Sequence, residues 1–264
     1  MSHIHIPDGV LPPWLWIAGW LLALGVVALA GRGRATEEQR RKVPLLGVVS
    51  ALMLVSMSSE IVPIAYHINL TVVGGALLGP RLAVVAAFII EVVLAMLGHG
   101  GVTVLGLNTL MISGEMVLGW ALFTSLRRLL RGRVAPAAGS ATVGTLAVTT
   151  TLLVGLVALA GGGEATARET GALDPRSLTF EAPFAEGVLS VGLLAPEEED
   201  AEEERGALSV RRFATVVYTL GPIGWVIEAA ITAGVLGFVA RVRPALLEGG
   251  GGRRGPLGDE QVKR

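Results

Sequence analysis

His3 and His5 stand in the opening stretch Met1-Ser2-His3-Ile4-His5-Ile6-Pro7-Asp8-Gly9, two of the four histidines in the chain. An amine, the adjacent peptide nitrogen and an imidazole can wrap one metal ion in a plane. Such tetragonal nitrogen sets suit nickel and copper above other first-row metals. Ser2 is small, so removal of Met1 is expected. The Ser2 amine, the His3 peptide nitrogen and the His3 imidazole then form a three-nitrogen clamp, with His67 or His5 as the fourth in-plane ligand. If Met1 stays, His3 is the third residue and the terminus alone offers four nitrogens. The plainer reading is a pair of interfacial histidines on a frayed end. Pro7-Asp8-Gly9 works against that reading, because such a turn fixes the start of the chain against the first apolar segment.

The other two histidines are His67 and His99. His67 lies in Val62-Pro63-Ile64-Ala65-Tyr66-His67-Ile68-Asn69, at the start of an apolar segment. There it is either an interfacial residue beside Tyr66 or the missing metal ligand. His99, in Gly98-His99-Gly100-Gly101, is either a polar turn residue or an outer helper to a metal site. Asn108, in Gly106-Leu107-Asn108, has the chemistry to hydrogen-bond a ligating imidazole. Polar glue between membrane helices is its rival role. Glu60, Glu91, Glu115 and Glu228 fall within or near apolar segments. Carboxylates at membrane depth are costly and mark function or a buried hydrogen-bond network. Glu228 is the deepest by its flanks and reads as a network residue.

Other chemistries are excluded by what the sequence lacks. It has no cysteine, so thiolate metal sites, iron–sulfur clusters, disulfides and cysteine nucleophiles all fall away. A metal must be held by nitrogen and oxygen. There is no His-Glu-x-x-His zinc motif and no Gly-x-Ser-x-Gly elbow. There is no Gly-x-x-x-x-Gly-Lys-Ser/Thr phosphate loop either, so ATP hydrolysis by this chain is not expected. The net charge of −1 argues against a nucleic-acid partner.

The elements that position these residues are membrane helices. Of 264 residues, 52% are hydrophobic and 16% charged, with mean hydropathy +0.65; soluble domains carry about 25% charged residues. The apolar residues fall in seven segments: 11–30, 43–62, 68–78, 82–97, 103–126, 135–160 and 213–240. A full crossing takes about 20 apolar residues. The third segment is short for that, and is expected to be a steep short helix or a re-entrant piece shielded by its neighbours. The fold class is therefore all-α, a polytopic membrane protein of about seven transmembrane helices. No cleavable signal peptide is expected.

Basic residues in short loops set orientation. Arg32, Arg34, Arg40, Arg41 and Lys42 come after the first segment, Arg81 after the third, and Arg127, Arg128, Arg131 and Arg133 after the fifth. Arg241 and Arg243 come after the seventh. Seven spans place all of them on the cytoplasmic side, with the amino terminus outside and the carboxy terminus inside. Six spans would split the set. All four histidines then share the outer face. The expected organisation is residues 1–160 as six helices behind a metal-binding segment, 161–212 as an outer loop, 213–244 as the seventh helix and 245–264 as a cytoplasmic tail. The loop holds the acidic run Glu197-Glu198-Glu199-Asp200-Ala201-Glu202-Glu203-Glu204, read as a solvated, partly disordered hairpin or as an arm that concentrates cations at the mouth.

His5-Ile6-Pro7-Asp8-Gly9 with Leu11-Pro12 after it resembles the start of the CbiM/NikM family, the substrate-capture subunits of energy-coupling-factor importers for cobalt and nickel. The resemblance runs on through Pro63, His67 and Gly79-Pro80, through Gly98-His99-Gly100-Gly101 to Leu105-Gly106-Leu107-Asn108, and through Glu228, Ile231-Thr232-Ala233 and Arg243-Pro244. It covers most of the chain outside 161–212 and the tail. It implies seven helices and an outside amino terminus. It also implies Ni2+ or Co2+ held in square-planar geometry by terminal nitrogens and two histidines, here Ser2, His3, His5 and His67, with Asn108 and His99 as outer supports. The implied partners are a transmembrane coupling subunit, two cytoplasmic ATPases and a small accessory membrane subunit. Three departures stand out. The family begins Met-His-Ile-Pro-Asp-Gly, so His5 matches the motif while His3 is second once Met1 leaves. Leu70-Thr71 replaces a glycine pair expected after the histidine. The acidic loop is longer than expected. Rival functions are a membrane metal sensor or assembly protein without transport, and an intramembrane hydrolase.

Overall fold

The computed structural model describes residues 12–32, 36–58, 60–61, 66–97, 101–160 and 210–247. They form seven helices: α1 Pro13–Gly31, α2 Glu37–Ser58, α3 Thr71–Leu78, α4 Pro80–Met96, α5 Leu105–Leu129, α6 Val134–Ala160 and α7 Val210–Val242. A 3-10 turn, Pro244–Leu246, comes after α7. Among the described residues the sole strand pairing is the antiparallel ribbon of β1 Glu60–Ile61 and β2 Tyr66–His67. The all-helical, seven-element expectation holds. The region 161–209, with its acidic run, lies outside the described residues.

Among the described residues five helices, α1, α2, α5, α6 and α7, are long and apolar enough to cross a membrane. Their outer faces carry Leu21, Leu22 and Leu24 on α1, Val48, Leu52 and Val55 on α2, and Ile223, Val226 and Phe238 on α7. Two buried threonines of α6 satisfy themselves within their own helix. Thr142 donates to the Ala138 carbonyl at 3.0 Å and Thr149 to the Thr145 carbonyl at 3.1 Å, which pairs hydroxyls where no water is at hand.

The short third segment is the instructive element. α3 has eight residues, all buried, and is about 12 Å long at 1.5 Å per residue, against a hydrocarbon core of about 30 Å. It is an enclosed half-length helix, the shielded alternative that backbone at membrane depth demands. It starts at Thr71, not Ile68, because Leu70 sits in the left-handed region at φ 56°. His67 therefore lies in β2 and not at a helix start. α3 hands over to α4 through Gly79, at φ 75°, and Pro80, a junction whose backbone suits glycine and then proline.

α2 also begins earlier than its apolar stretch suggests. The Thr36 amide donates to Gln39 Oε1 at 2.9 Å, and the Gln39 amide donates to Thr36 Oγ1 at 3.2 Å. This is a capping box, and it starts the helix at Glu37, ahead of Val43. α7 likewise starts at Val210, ahead of Phe213.

α5 is the spine of the bundle, packing against α1, α3, α4 and α6. Where α1 crosses it, a Cβ on Gly106 would stand 2.6 Å from the Trp20 backbone, so only glycine lets the two main chains meet there. At the far end, the Arg81 guanidinium donates to the Arg32 carbonyl. Arg127 Nη1 donates to the Leu247 carbonyl at 2.9 Å. The start of α4 is thus tied to the end of α1, and the end of α5 to the turn after α7.

Candidate metal centre

His67 is the sequence-predicted ligand that the described structure contains. β1 and β2 pair Glu60 with His67 and Ile61 with Tyr66. The His67 side chain is half-buried, with Nδ1 shielded from solvent. From there the chain runs through Ile68, Asn69 and Leu70 into α3. Asn69 and Leu70 are 1% and 6% exposed, so this non-helical strap is covered by protein.

Two side chains fasten the strap to two different helices. The Ser56 hydroxyl, near the end of α2, donates to the Ile68 carbonyl. Thr71 Oγ1, at the first position of α3, donates to Glu115 Oε1 of α5 at 2.7 Å. Both Thr71 and Glu115 are fully buried. Leu70 lies between the two fastenings in a backbone conformation that costs an L-residue about 1–2 kcal/mol. A glycine would adopt it without strain.

α5 also fixes the entry to α1. Leu15, in the first turn of α1, packs against Val104 and Leu107. Asn108 is the next residue along and is 5% exposed. Asn108 and Glu115 are seven residues apart, so they share one face of α5 with a rise of about 10 Å between them. Four extended residues from Thr71 back to His67 span up to about 13 Å. His67 is therefore within chain reach of the end of α5 that carries Asn108 and packs against the start of α1. The segment holding Ser2, His3 and His5 connects to that end through Pro12-Pro13. Ser2, His3, His5 and His99 themselves lie outside the described residues. Among the described residues, no three His, Asp or Glu side chains assemble into a metal cage. The described structure thus supplies one imidazole, and the rest of any ligand set must come from elsewhere.

The other buried carboxylates occupy separate helices. Glu91 on α4 is 2% exposed and Glu228 on α7 is 0% exposed. Glu228 and Thr232 are one turn apart on the buried face of α7. The close packing of Gly19 against Leu107 and of Gly139 near Ala229 shows that these small residues serve contacts within the chain. Sequence reasoning missed the Thr71–Glu115 and Ser56–Ile68 bonds. The signal for the first was present: a carboxylate inside an apolar helix needs a partner.

A bundle with an apolar outer face, buried carboxylates and an imidazole on an enclosed strap defines a multi-pass membrane protein. The family described as the cobalt uptake substrate-specific transmembrane region, CbiM, matches residues 5–246. The chain belongs to this family, a membrane component of metal uptake. It is 31% identical over 205 residues to a cobalt transport protein CbiM of Sorangium cellulosum, covering 73% of this chain and 90% of that one. It is 35% identical over 158 residues to a putative metal transport protein of Haloquadratum walsbyi, covering 58% and 72%. A crystal structure of a truncated transition metal transporter shares the fold, with TM-score 0.57 and 16% identity over 90% of this chain and 99% of that one.

Proposed function

We propose that this protein captures Ni2+ or Co2+ at the outer membrane face and delivers it inward as the substrate-specific subunit of an ATP-driven energy-coupling-factor importer. The observation that carries the reading is the enclosed His67 strap, fastened to α5 at Glu115 within chain reach of the end of α5 where the entry to α1 packs. That arrangement would bring the terminal histidines and His67 into reach of one ion.

In this mechanism the ion sheds water at the mouth and is wrapped by Ser2, His3 and His67, with His5 assisting. Imidazole is a ligand only when neutral, so binding releases protons to the outside. Asn108 and His99 support the ligands from the second layer. The arginine-rich end faces the cytoplasm, in line with the positive-inside trend. There the transmembrane coupling subunit, two ATPases and an accessory membrane subunit would dock. Hydrolysis belongs to those partners, because this chain carries no phosphate-binding loop.

Uptake of radioactive nickel or cobalt by cells expressing the chain with and without its ATPases tests the proposal. ATPase-dependent accumulation, lost in His67→Ala, is expected. Accumulation that ignores the ATPases would overturn the importer reading.

A further inference from the structure

We propose that Thr71, Glu115 and Ser56 are positioning residues for the His67 imidazole. The inference rests on the reading of His67 as a metal ligand. His67 lies at the end of a two-residue strand, and the next three residues belong to no helix or sheet. Such a stretch would sample many conformations, since each backbone residue left unfixed retains about 1–2 kcal/mol of entropy. Here it is pinned on both sides of the strained Leu70. Ser56 holds the carbonyl of Ile68, the residue next to His67. Glu115 holds the hydroxyl of Thr71, the first residue past Leu70, at 2.7 Å. Strained backbone persists only where its surroundings over-determine it, and these two bonds bracket the strain.

The seating of α3 does not itself call for the Thr71–Glu115 bond. α3 is already locked on α5 by the contact of Gly75 with the Met116 backbone and of Val72 with Gly119. A carboxylate inside a membrane bundle is costly, and an apolar pair at 71 and 115 would pack at lower cost. What the bond adds is direction and register. It fixes where the strap enters α3, and so where the backbone that carries His67 leaves it. The Thr71–Glu115 bond is buried, so water does not compete for it. The ligand is thereby pre-oriented before the ion arrives.

The test uses the purified full chain in lipid nanodiscs, with nickel chloride as the probe. Affinity is read by calorimetry, ligand geometry by the nickel d–d absorption band, and folding by metal-free melting. Thr71→Val and Glu115→Leu should each weaken binding by roughly 10–100-fold, the usual cost of losing a group that orients a ligand. Each should shift the absorption band and leave metal-free melting in place. The double variant should bind no worse than either single one, because both remove the same bond, and Thr71→Ser should restore affinity and spectrum. Ser56→Ala should weaken binding in the same sense. The inference is overturned if Thr71→Val and Glu115→Leu bind as the parent does while His67→Ala does not bind. It is equally overturned if binding and metal-free melting fall together with the spectrum unchanged, which marks a fold contact only. Parent-like binding by His67→Ala would instead remove the ligand reading itself.

Discussion

Gly75 of α3 lies against the backbone of Met116 on α5 so closely that a Cβ there would stand 2.0 Å from the Met116 carbonyl oxygen. The obstacle is backbone, so no flexible side chain can yield. Gly75→Ala must push α3 off α5, and overpacking of a seated core costs typically about 1–3 kcal/mol. A lowered melting temperature in nanodiscs, with weaker metal binding, is expected. Gly25→Ala is the control. Nothing lies within 4 Å of that position, so the better helix propensity of alanine should leave the protein as stable or slightly more so.

Leu70 sets strain against burial. Its left-handed backbone costs about 1–2 kcal/mol, which Leu70→Gly would relieve. Its side chain is 6% exposed, and truncating a buried leucine costs about 2–5 kcal/mol. Burial wins, so Leu70→Gly should lower the melting temperature. A raised melting temperature would show that strain dominates.

Arg127 holds the turn after α7 through the Leu247 carbonyl. Arg127→Ala should remove a bond worth about 1 kcal/mol or a little more and speed amide exchange at residues 244–247. It should leave nickel affinity unchanged, because the contact lies at the far end of the bundle from His67.

Metal affinity should depend on pH with a fixed sign. Free imidazole takes up a proton near pH ~6.5, and a protonated ring offers no lone pair to the ion. Affinity should therefore be steady above neutrality and fall steeply below about pH 6. Calorimetry at several pH values measures this, together with the protons released. Affinity that stays flat down to about pH 5, well below the imidazole range, would point to oxygen ligands.

Much of the fold was legible in the sequence, because long apolar blocks are strong signals. The half-length α3 was legible as a short segment. Its enclosure depends on Gly74 and Gly75 meeting their neighbours closely, a contact that hydropathy does not encode. The capping box at Thr36 and Gln39 was also readable but lay outside the apolar stretch. Within the candidate site, His67 and Asn108 were chosen by residue type and flanks. Thr71 and Glu115 were seen singly, since 44 residues separate them in sequence and only the crossing of α3 on α5 joins them.

The terminal residues carry the rest of the proposed chelate. His3→Ala and His67→Ala should each abolish nickel and cobalt binding, and His99→Ala should retain it. Mass spectrometry of the mature protein distinguishes a start at Met1 from one at Ser2, and so assigns His3 its place in the chelate.

Anomalous diffraction from crystals of the full chain soaked with nickel or cobalt tests the central claim most directly. The account predicts one strong peak at bonding distance from a His67 ring nitrogen, completed in a plane by nitrogens of Ser2 and His3 or His5. A peak ligated elsewhere, with the His67 imidazole unengaged, would contradict it.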